Sequence, residues 1–87
     1  MTARELIAYL REQGVLATTP QRPLPPSAGW HVVLTPSEYH PGGWHATITD
    51  TNVVTFPLVV RHFQALGFDV QEDPRRRCLE AWPHPPS

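Results

Sequence analysis

The five histidines are the residues with the most obvious chemistry, because a neutral imidazole is both a metal ligand and a general base. His31 and His45 each follow Gly-Trp, and His40 lies between them. If both Gly-Trp-His triplets lead paired β-strands, the two imidazoles share a sheet face but lie ~13 Å apart, at ~3.3 Å per residue. Zinc-binding spacings such as His-x-x-x-His are absent. We therefore expect neither a metal site nor a cofactor.

Carboxylates and the single cysteine are the other groups that could act in catalysis. The carboxylates fall in loops or at strand ends, where they are usually solvated: Glu38, Asp50, Glu72 and Asp73. Cys78 directly follows three arginines, whose positive charge could lower the pKa of its thiol, but an inert cysteine is the favoured interpretation. A nucleophile also needs a positioned base, and none can be named. The sequence therefore predicts a protein that is not an enzyme.

Length, charge and cysteine content limit the remaining classes. The chain has 87 residues, enough for one small domain, and its 7 arginines and 8 acidic residues leave a net charge of -1. No overall field attracts nucleic acid or an anionic membrane. One cysteine excludes an intramolecular disulfide. The first residues lack a secretory signal and no apolar run approaches the ~18–20 residues of a membrane span, so we expect a cytoplasmic protein without a membrane partner.

The histidines are positioned by a predicted hairpin, Trp30 to Asp50, whose central eight residues contain two prolines and two glycines. The expected register pairs Leu34 with Ala46, Val32 with Ile48 and Trp30 with Asp50. Alternation then places one set of side chains in the core: Trp30, Val32, Leu34, Trp44, Ala46 and Ile48. A slip by one residue would bury the histidines instead, so burial specifies the register.

Helix signals precede and follow this hairpin. Residues 2–13 have a capping box at Thr2 and Glu5, an apolar stripe, and Gly14 as a terminator. Val15 to Thr18 could extend briefly as a strand, and a Pro-rich crossover follows at 20–28. A second helix is predicted from a cap at Thr55 to about Leu66.

A second hairpin is expected after the second helix, from Phe68 to Trp82, with Asp73 to Arg76 as a type I turn. Its predicted register pairs Glu72 with Arg77, Val70 with Leu79 and Phe68 with Ala81. Residues 1–82 then form a single domain and 83–87 a loose Pro-rich tail. The element order α-β-β-α-β-β predicts an α+β two-layer sandwich, with a four-stranded, mainly antiparallel sheet and two helices on one face.

The opening Ala3-Arg4-Glu5-Leu6-Ile7-Ala8-Tyr9-Leu10-Arg11-Glu12-Gln13-Gly14, with the later Gly43-Trp44-His45 at the start of a strand, resembles small HicA-like RNA-cleaving toxins. The resemblance covers under a third of the chain. It implies that His45 is the catalytic histidine of a ribonuclease. The crossover is longer than in that family, the chain is not basic, and a C-terminal hairpin is added.

Two binding functions are also consistent with the sequence. The favoured one is a non-catalytic protein-binding or inhibitory module that binds a protein partner or itself, by analogy an accessory protein of a phage or mobile element. Interfaces are enriched in aromatic residues and arginine, which gives five candidate contacts: Tyr39, Trp82, Arg75, Arg76 and Arg77. The alternative is a small nucleic-acid-binding domain that uses the Arg75–Arg77 hairpin as a wing on phosphates.

Overall fold

The fold is α+β, with two helices and a five-stranded mixed sheet. The computed structural model describes residues 1–49 and 55–85. Its elements are α1 (Ala3–Glu12), β1 (Ala17–Thr18), β2 (Val32–Pro36), β3 (Trp44–Ile48), α2 (Thr55–Ala65), β4 (Phe68–Asp73) and β5 (Cys78–Pro83). The strand order is β1-β2-β3-β5-β4. The predicted class is confirmed, whereas the predicted four-stranded sheet lacked one strand.

Helix α1 begins and ends where its sequence signals predict. The Thr2 hydroxyl accepts from the Glu5 N–H, and the Glu5 carboxylate accepts from the Thr2 N–H, so the capping box is present. These bonds to Thr2 lower the pKa of the Glu5 carboxyl. Gly14 follows the helix with φ 83°, a left-handed conformation that glycine adopts without a Cβ penalty. Leu6 and Leu10 are fully buried on the predicted stripe.

Strand β1 is the strand that the predicted sheet lacked. Its two residues pair in parallel with β2, Ala17 with Val32 and Thr18 with Val33. Parallel neighbours require a long crossover, and residues 19–31, with a 3₁₀ turn at Pro26–Ala28, provide it. The Pro-rich segment is therefore the link that makes a parallel strand possible, which is why the sheet is mixed.

The register of the first hairpin is confirmed. Val32 pairs with Ile48 and Leu34 with Ala46, and all four side chains are buried. Burial alternates along both strands, as expected when one face of a sheet packs on a core. The predicted Trp30 to Asp50 pair involves Asp50, which lies outside the described residues.

The register of the second hairpin was predicted wrongly by two residues. Val70 pairs with Ala81 and Glu72 with Leu79, because the connection is longer than a two-residue turn. Pro74–Arg76 form a 3₁₀ turn, and Arg77 adopts a left-handed conformation with φ 55° instead of opening β5. A shift of two preserves the side-chain faces, so the residues predicted to share the apolar face still do.

One hydrophobic core joins both helices to the sheet. Helix α2 begins at Thr55 and contributes Val59, Val60 and Phe63, which are buried, while Leu66 is partly buried against the same core. Leu6 and Leu10 of α1 belong to the same cluster, together with the inward residues of the strands. Strand β5 extends one residue into the range 83–87 that the sequence indicated as a tail. Pro83 ends β5, and the His84 N–H donates to the Gly67 carbonyl at 3.2 Å.

Replacing Trp44 by alanine should destabilise the protein by about 3–5 kcal/mol, the usual cost of removing a buried Trp side chain. Trp44 is 8% exposed, and its indole N–H has no partner among the described residues, so its contribution is packing. Urea denaturation measures the loss. Tyr39→Ala is the matched aromatic control, because Tyr39 is 76% exposed and its removal should change stability by under about 0.5 kcal/mol. A Trp44→Ala loss below about 1 kcal/mol would contradict the assigned burial.

Candidate protein-binding site on the open sheet face

The face of the sheet opposite the core has polar side chains in cross-strand rows. One row crosses four strands: Thr35, His45, Glu80 and Gln71. The adjoining row consists of Val33, Thr47, Cys78 and Asp73. We call these two rows, together with Trp82 and Asp69 beyond them, the open face.

The open face contains a paired histidine and carboxylate at its centre. His45 on β3 lies opposite Glu80 on β5, and His45 Nδ1 is 2.8 Å from Glu80 Oε1. An ionised carboxylate only accepts, so Nδ1 donates and the ring orientation is fixed. The His45 side chain is 37% exposed and that of Glu80 18%. Glu80 Oε2 is buried and makes no hydrogen bond within the described chain.

A stacked aromatic pair lies at one end of the open face. The His40 ring lies on the Trp82 ring, with centroids 3.8 Å apart and an interplanar angle of 11°. Gly43 permits this approach, because a Cβ there would lie 2.8 Å from the Ala81 carbonyl oxygen and 3.0 Å from Trp82 Cβ. The glycine of the second Gly-Trp-His triplet is therefore required by packing against β5.

The loop between β2 and β3 presents Tyr39 next to this stack. Ser37 Oγ accepts from the backbone N–H groups of Tyr39 at 3.2 Å and His40 at 3.1 Å. The Gly43 N–H donates to the His40 carbonyl at 2.9 Å, and the Ser37 N–H to the Gly43 carbonyl at 3.0 Å. The loop is thus held by its own hydrogen bonds while the Tyr39 side chain stays exposed.

A groove of about 690 Å³ runs from this loop along the open face to the tip of the β4–β5 hairpin. Tyr39, His40 and His45 line it together with Arg76. Its lining also contains three carboxylates of the open face and the loop: Glu38, Asp73 and Glu80. With one guanidinium against three carboxylates, the groove favours a cationic ligand over an anionic one.

The three predicted arginines lie at the hairpin tip. Arg75 and Arg76 belong to the 3₁₀ turn, Arg77 follows it, and all three are exposed. Arg76 Nε lies 3.7 Å from Asp73 Oδ2, a solvent-exposed contact of little energetic value. Tyr39 and Arg76 line the same groove, and Trp82 adjoins it through His40. Arg75 and Arg77 do not line it.

The environment of Cys78 is set by burial rather than by the neighbouring arginines. Burial raises the pKa of its thiol, Asp73 and Glu80 add to the rise, and Arg76 opposes it. The lowering that the arginine run could cause is outweighed, since the arginines extend from the exposed tip while the thiol lies half-buried on the sheet. A raised pKa leaves less thiolate at neutral pH and therefore a weaker nucleophile.

Four of the histidines make hydrogen bonds or stack rather than cluster: His31, His40, His45 and His84. His31 Nδ1 donates to the Gly29 carbonyl at 3.1 Å. In residues 1–49 and 55–85, no three His, Cys, Asp or Glu side chains are grouped so that they could hold a metal ion. Neither of the two described helices has the length and apolar character that crossing a membrane requires.

No protein-family model, curated protein or solved structure matches the chain.

Sequence reasoning missed both side-chain pairs of the site, His45–Glu80 and His40–Trp82. His45 and Glu80 are 35 residues apart in the chain, and His40 and Trp82 are further apart still. Both pairs depend on β3 lying next to β5, which the hairpin signals do not specify. Alternation did place His45, Glu80 and Trp82 on the reverse of their strands, which was the available signal.

We expect the His45–Glu80 pair to show a coupling free energy of about 1 kcal/mol in a double-mutant cycle, because the pair is half-buried. The cycle uses His45→Ala, Glu80→Ala and the double variant in urea denaturation at pH 7. The matched control is the His84–Asp69 pair, whose 2.9 Å contact joins side chains that are 67% and 40% exposed. Its coupling should be no more than about 0.5 kcal/mol. Equal couplings would show that the His45–Glu80 pair is no stronger than a surface contact.

Proposed function

We propose that this chain is a non-catalytic protein-binding module and that the groove on the open face, with Tyr39 at its rim, is the contact surface. The observation that carries the proposal is the exposure of Tyr39, 76%, in a loop that its own hydrogen bonds hold beside the His40–Trp82 stack. Exposed aromatic side chains on an ordered loop supply large contact area at low entropic cost.

The charge of the groove defines the kind of partner. The carboxylates of Glu38, Asp73 and Glu80 line it, and Glu80 has one buried oxygen with no partner in the described chain. A lysine or arginine side chain entering the groove would supply hydrogen-bond donors and compensate the negative charge. The partner is therefore a protein that presents a cationic segment. The proposed role is regulatory or inhibitory, in which the module covers a basic surface of its partner.

Tyr39→Ala should weaken the complex at least tenfold, as loss of an aromatic hot-spot contact does. The tagged protein is used to isolate partners, and the complex is then reconstituted from purified components and titrated by calorimetry. Leu58→Ala is the matched control, because Leu58 on α2 is 39% exposed and does not line the groove. The control should bind as the unmodified protein does.

Equal affinity of the Tyr39→Ala and unmodified proteins for the reconstituted partner would reject the groove as the contact surface. A complex lost equally in both variants would point to an effect of folding rather than of contact. Unfolding measurements on the Tyr39→Ala and Leu58→Ala proteins distinguish lost folding from lost contact. Both side chains are exposed, so neither substitution should change stability much.

A second candidate function, nucleic-acid binding, is favoured by one observation, the three consecutive exposed arginines at the hairpin tip. Asp69, Glu72 and Asp73 on β4 oppose it by offsetting this charge locally.

If the protein-binding proposal holds, light scattering should detect no salt-sensitive rise in mass when a mixed RNA and DNA pool is added. A rise that disappears between low and moderate salt would instead favour the arginine tip. In that case Arg75→Ala with Arg76→Ala should reduce the slope of log affinity against log salt by roughly two phosphate contacts. Arg61→Ala on α2 is the matched control for loss of positive charge away from the tip.

A further inference from the structure

The two edges of the sheet differ in what covers them. One edge is β1, which has two residues. The Leu16 carbonyl accepts from the Val32 N–H of β2, so the carbonyl of the next residue, Ala17, points away from β2. Arg11 donates to this outward carbonyl from Nη2 at 3.0 Å and Nε at 3.3 Å. A side chain of α1 thus satisfies the backbone at the β1 edge.

The opposite edge, β4, has alternate backbone groups that point away from the sheet. The Arg77 carbonyl accepts from the Ile48 N–H of β3, and the Gly67 carbonyl accepts from the His84 N–H next to β5. Because backbone groups alternate in direction along a strand, these two bonds show which residues of β5 and β4 point their N–H and C=O groups to each side. Asp69, Gln71 and Asp73 therefore direct their N–H and C=O groups toward β5. Phe68, Val70 and Glu72 direct theirs outward. Among the described residues, no hydrogen bond is made by these outward groups.

The β4 edge has the length and regularity that strand addition requires. Its six residues span about 20 Å at ~3.3 Å each, and the strand contains neither proline nor a left-handed residue. Edge strands of this kind are usually shortened, interrupted or covered, since they offer a template for another strand. The backbone of the β1 edge is hydrogen-bonded by Arg11, whereas the outward groups of β4 are available for pairing. This difference indicates that β4 is a binding element.

The charge of β4 selects among possible occupants. In the antiparallel register that pairs Val70 with Glu72, a second copy of β4 would place Asp69 opposite Asp73 twice, and like charges directly opposite are destabilising. A strand with basic side chains would instead face Asp69, Glu72 and Asp73. Asp73 also lines the acidic groove, so the edge and the groove meet at a residue of the same sign.

We propose that β4 binds a basic, extended segment of a partner protein by strand addition, with hydrogen bonds to the outward groups of Val70 and Glu72. This inference rests on the proposed protein-binding function and specifies its partner as a segment that supplies a strand. The main chain of the segment pairs with β4, and its lysine or arginine side chains lie against the carboxylates of the edge and groove.

The test uses a synthetic ten-residue peptide that alternates lysine with threonine, and a twin with alternate backbone amides methylated. Methylation removes donors needed for strand pairing and keeps the charge. Nuclear magnetic resonance measures amide hydrogen exchange in the full chain. The Val70 and Glu72 amides should exchange faster than that of Gln71 in the free protein. They should become protected by at least about tenfold when the peptide binds, because each then donates a hydrogen bond.

Two substitutions at one position separate the backbone from the charge. Glu72→Pro removes an outward N–H without removing a bond to β5, and edge strands tolerate proline. It should weaken peptide binding by about tenfold or more. Glu72→Gln retains the N–H and removes the charge, so it should weaken binding only about two- to threefold. The amide spectrum of each variant reports whether the fold is retained, and the methylated peptide tests strand pairing on the unmodified chain.

Failure of strand addition is distinguishable from failure of the proposed function. Equal binding of the methylated and unmethylated peptides, or binding without protection at Val70 and Glu72, would overturn strand addition while the groove remains the contact surface. No binding of either peptide would overturn the basic extended segment as occupant. Protection of Val70 and Glu72 that accompanies self-association would assign the edge to a second copy and overturn the present assignment.

Discussion

The antiparallel pairing of β3 with β5 is the constraint on which the rest of the structure depends. It joins two hairpins that are separate in the sequence, and it places His45 opposite Glu80 and Trp44 opposite Ala81. The close approach of Gly43 to Trp82 extends the same pairing and allows the His40–Trp82 stack. Without this strand pair, the core would be divided and the open face would lose both of its ordered side-chain pairs.

Local signals predicted the elements, and burial predicted the first register. In the first hairpin, a one-residue slip would exchange tryptophans for histidines in the core, so the cost of burying the wrong face selects one pairing. The second hairpin offers a weaker criterion, because a slip of two residues leaves every face unchanged. The left-handed conformation of Arg77 decided that register, and a non-glycine residue does not indicate such a conformation in advance. A brief strand within Val15 to Thr18 was considered, but its parallel place in the sheet was not predicted, because two residues give almost no periodic signal.

The site was predictable only to the level of single residues. Exposure of Tyr39 follows from its position in a Pro-Gly loop, and the exposed arginines follow from the turn around Pro74. The pairs that organise the site join residues distant in sequence, and they require the strand order, which no local pattern contains. The direction of the Cys78 pKa shift could not be predicted for a related reason. Adjacency in sequence suggested the arginines as neighbours, whereas burial within the sheet determines the thiol's environment.

The free edge at β4 is a consequence of connectivity rather than of the composition of that strand alone. Because β5 pairs with β3 and a tight turn joins β4 to β5, β4 has no position except outside β5. The other edge is β1, which pairs in parallel with β2 and therefore needs a long crossover between them. The prolines of this crossover restrict the unfolded chain, so less conformational entropy is lost when the segment is ordered. Helix α1 then lies close enough for Arg11 to bond the β1 backbone. One topology thus covers the edge that is formed by the crossover and exposes the edge that is formed by the hairpin.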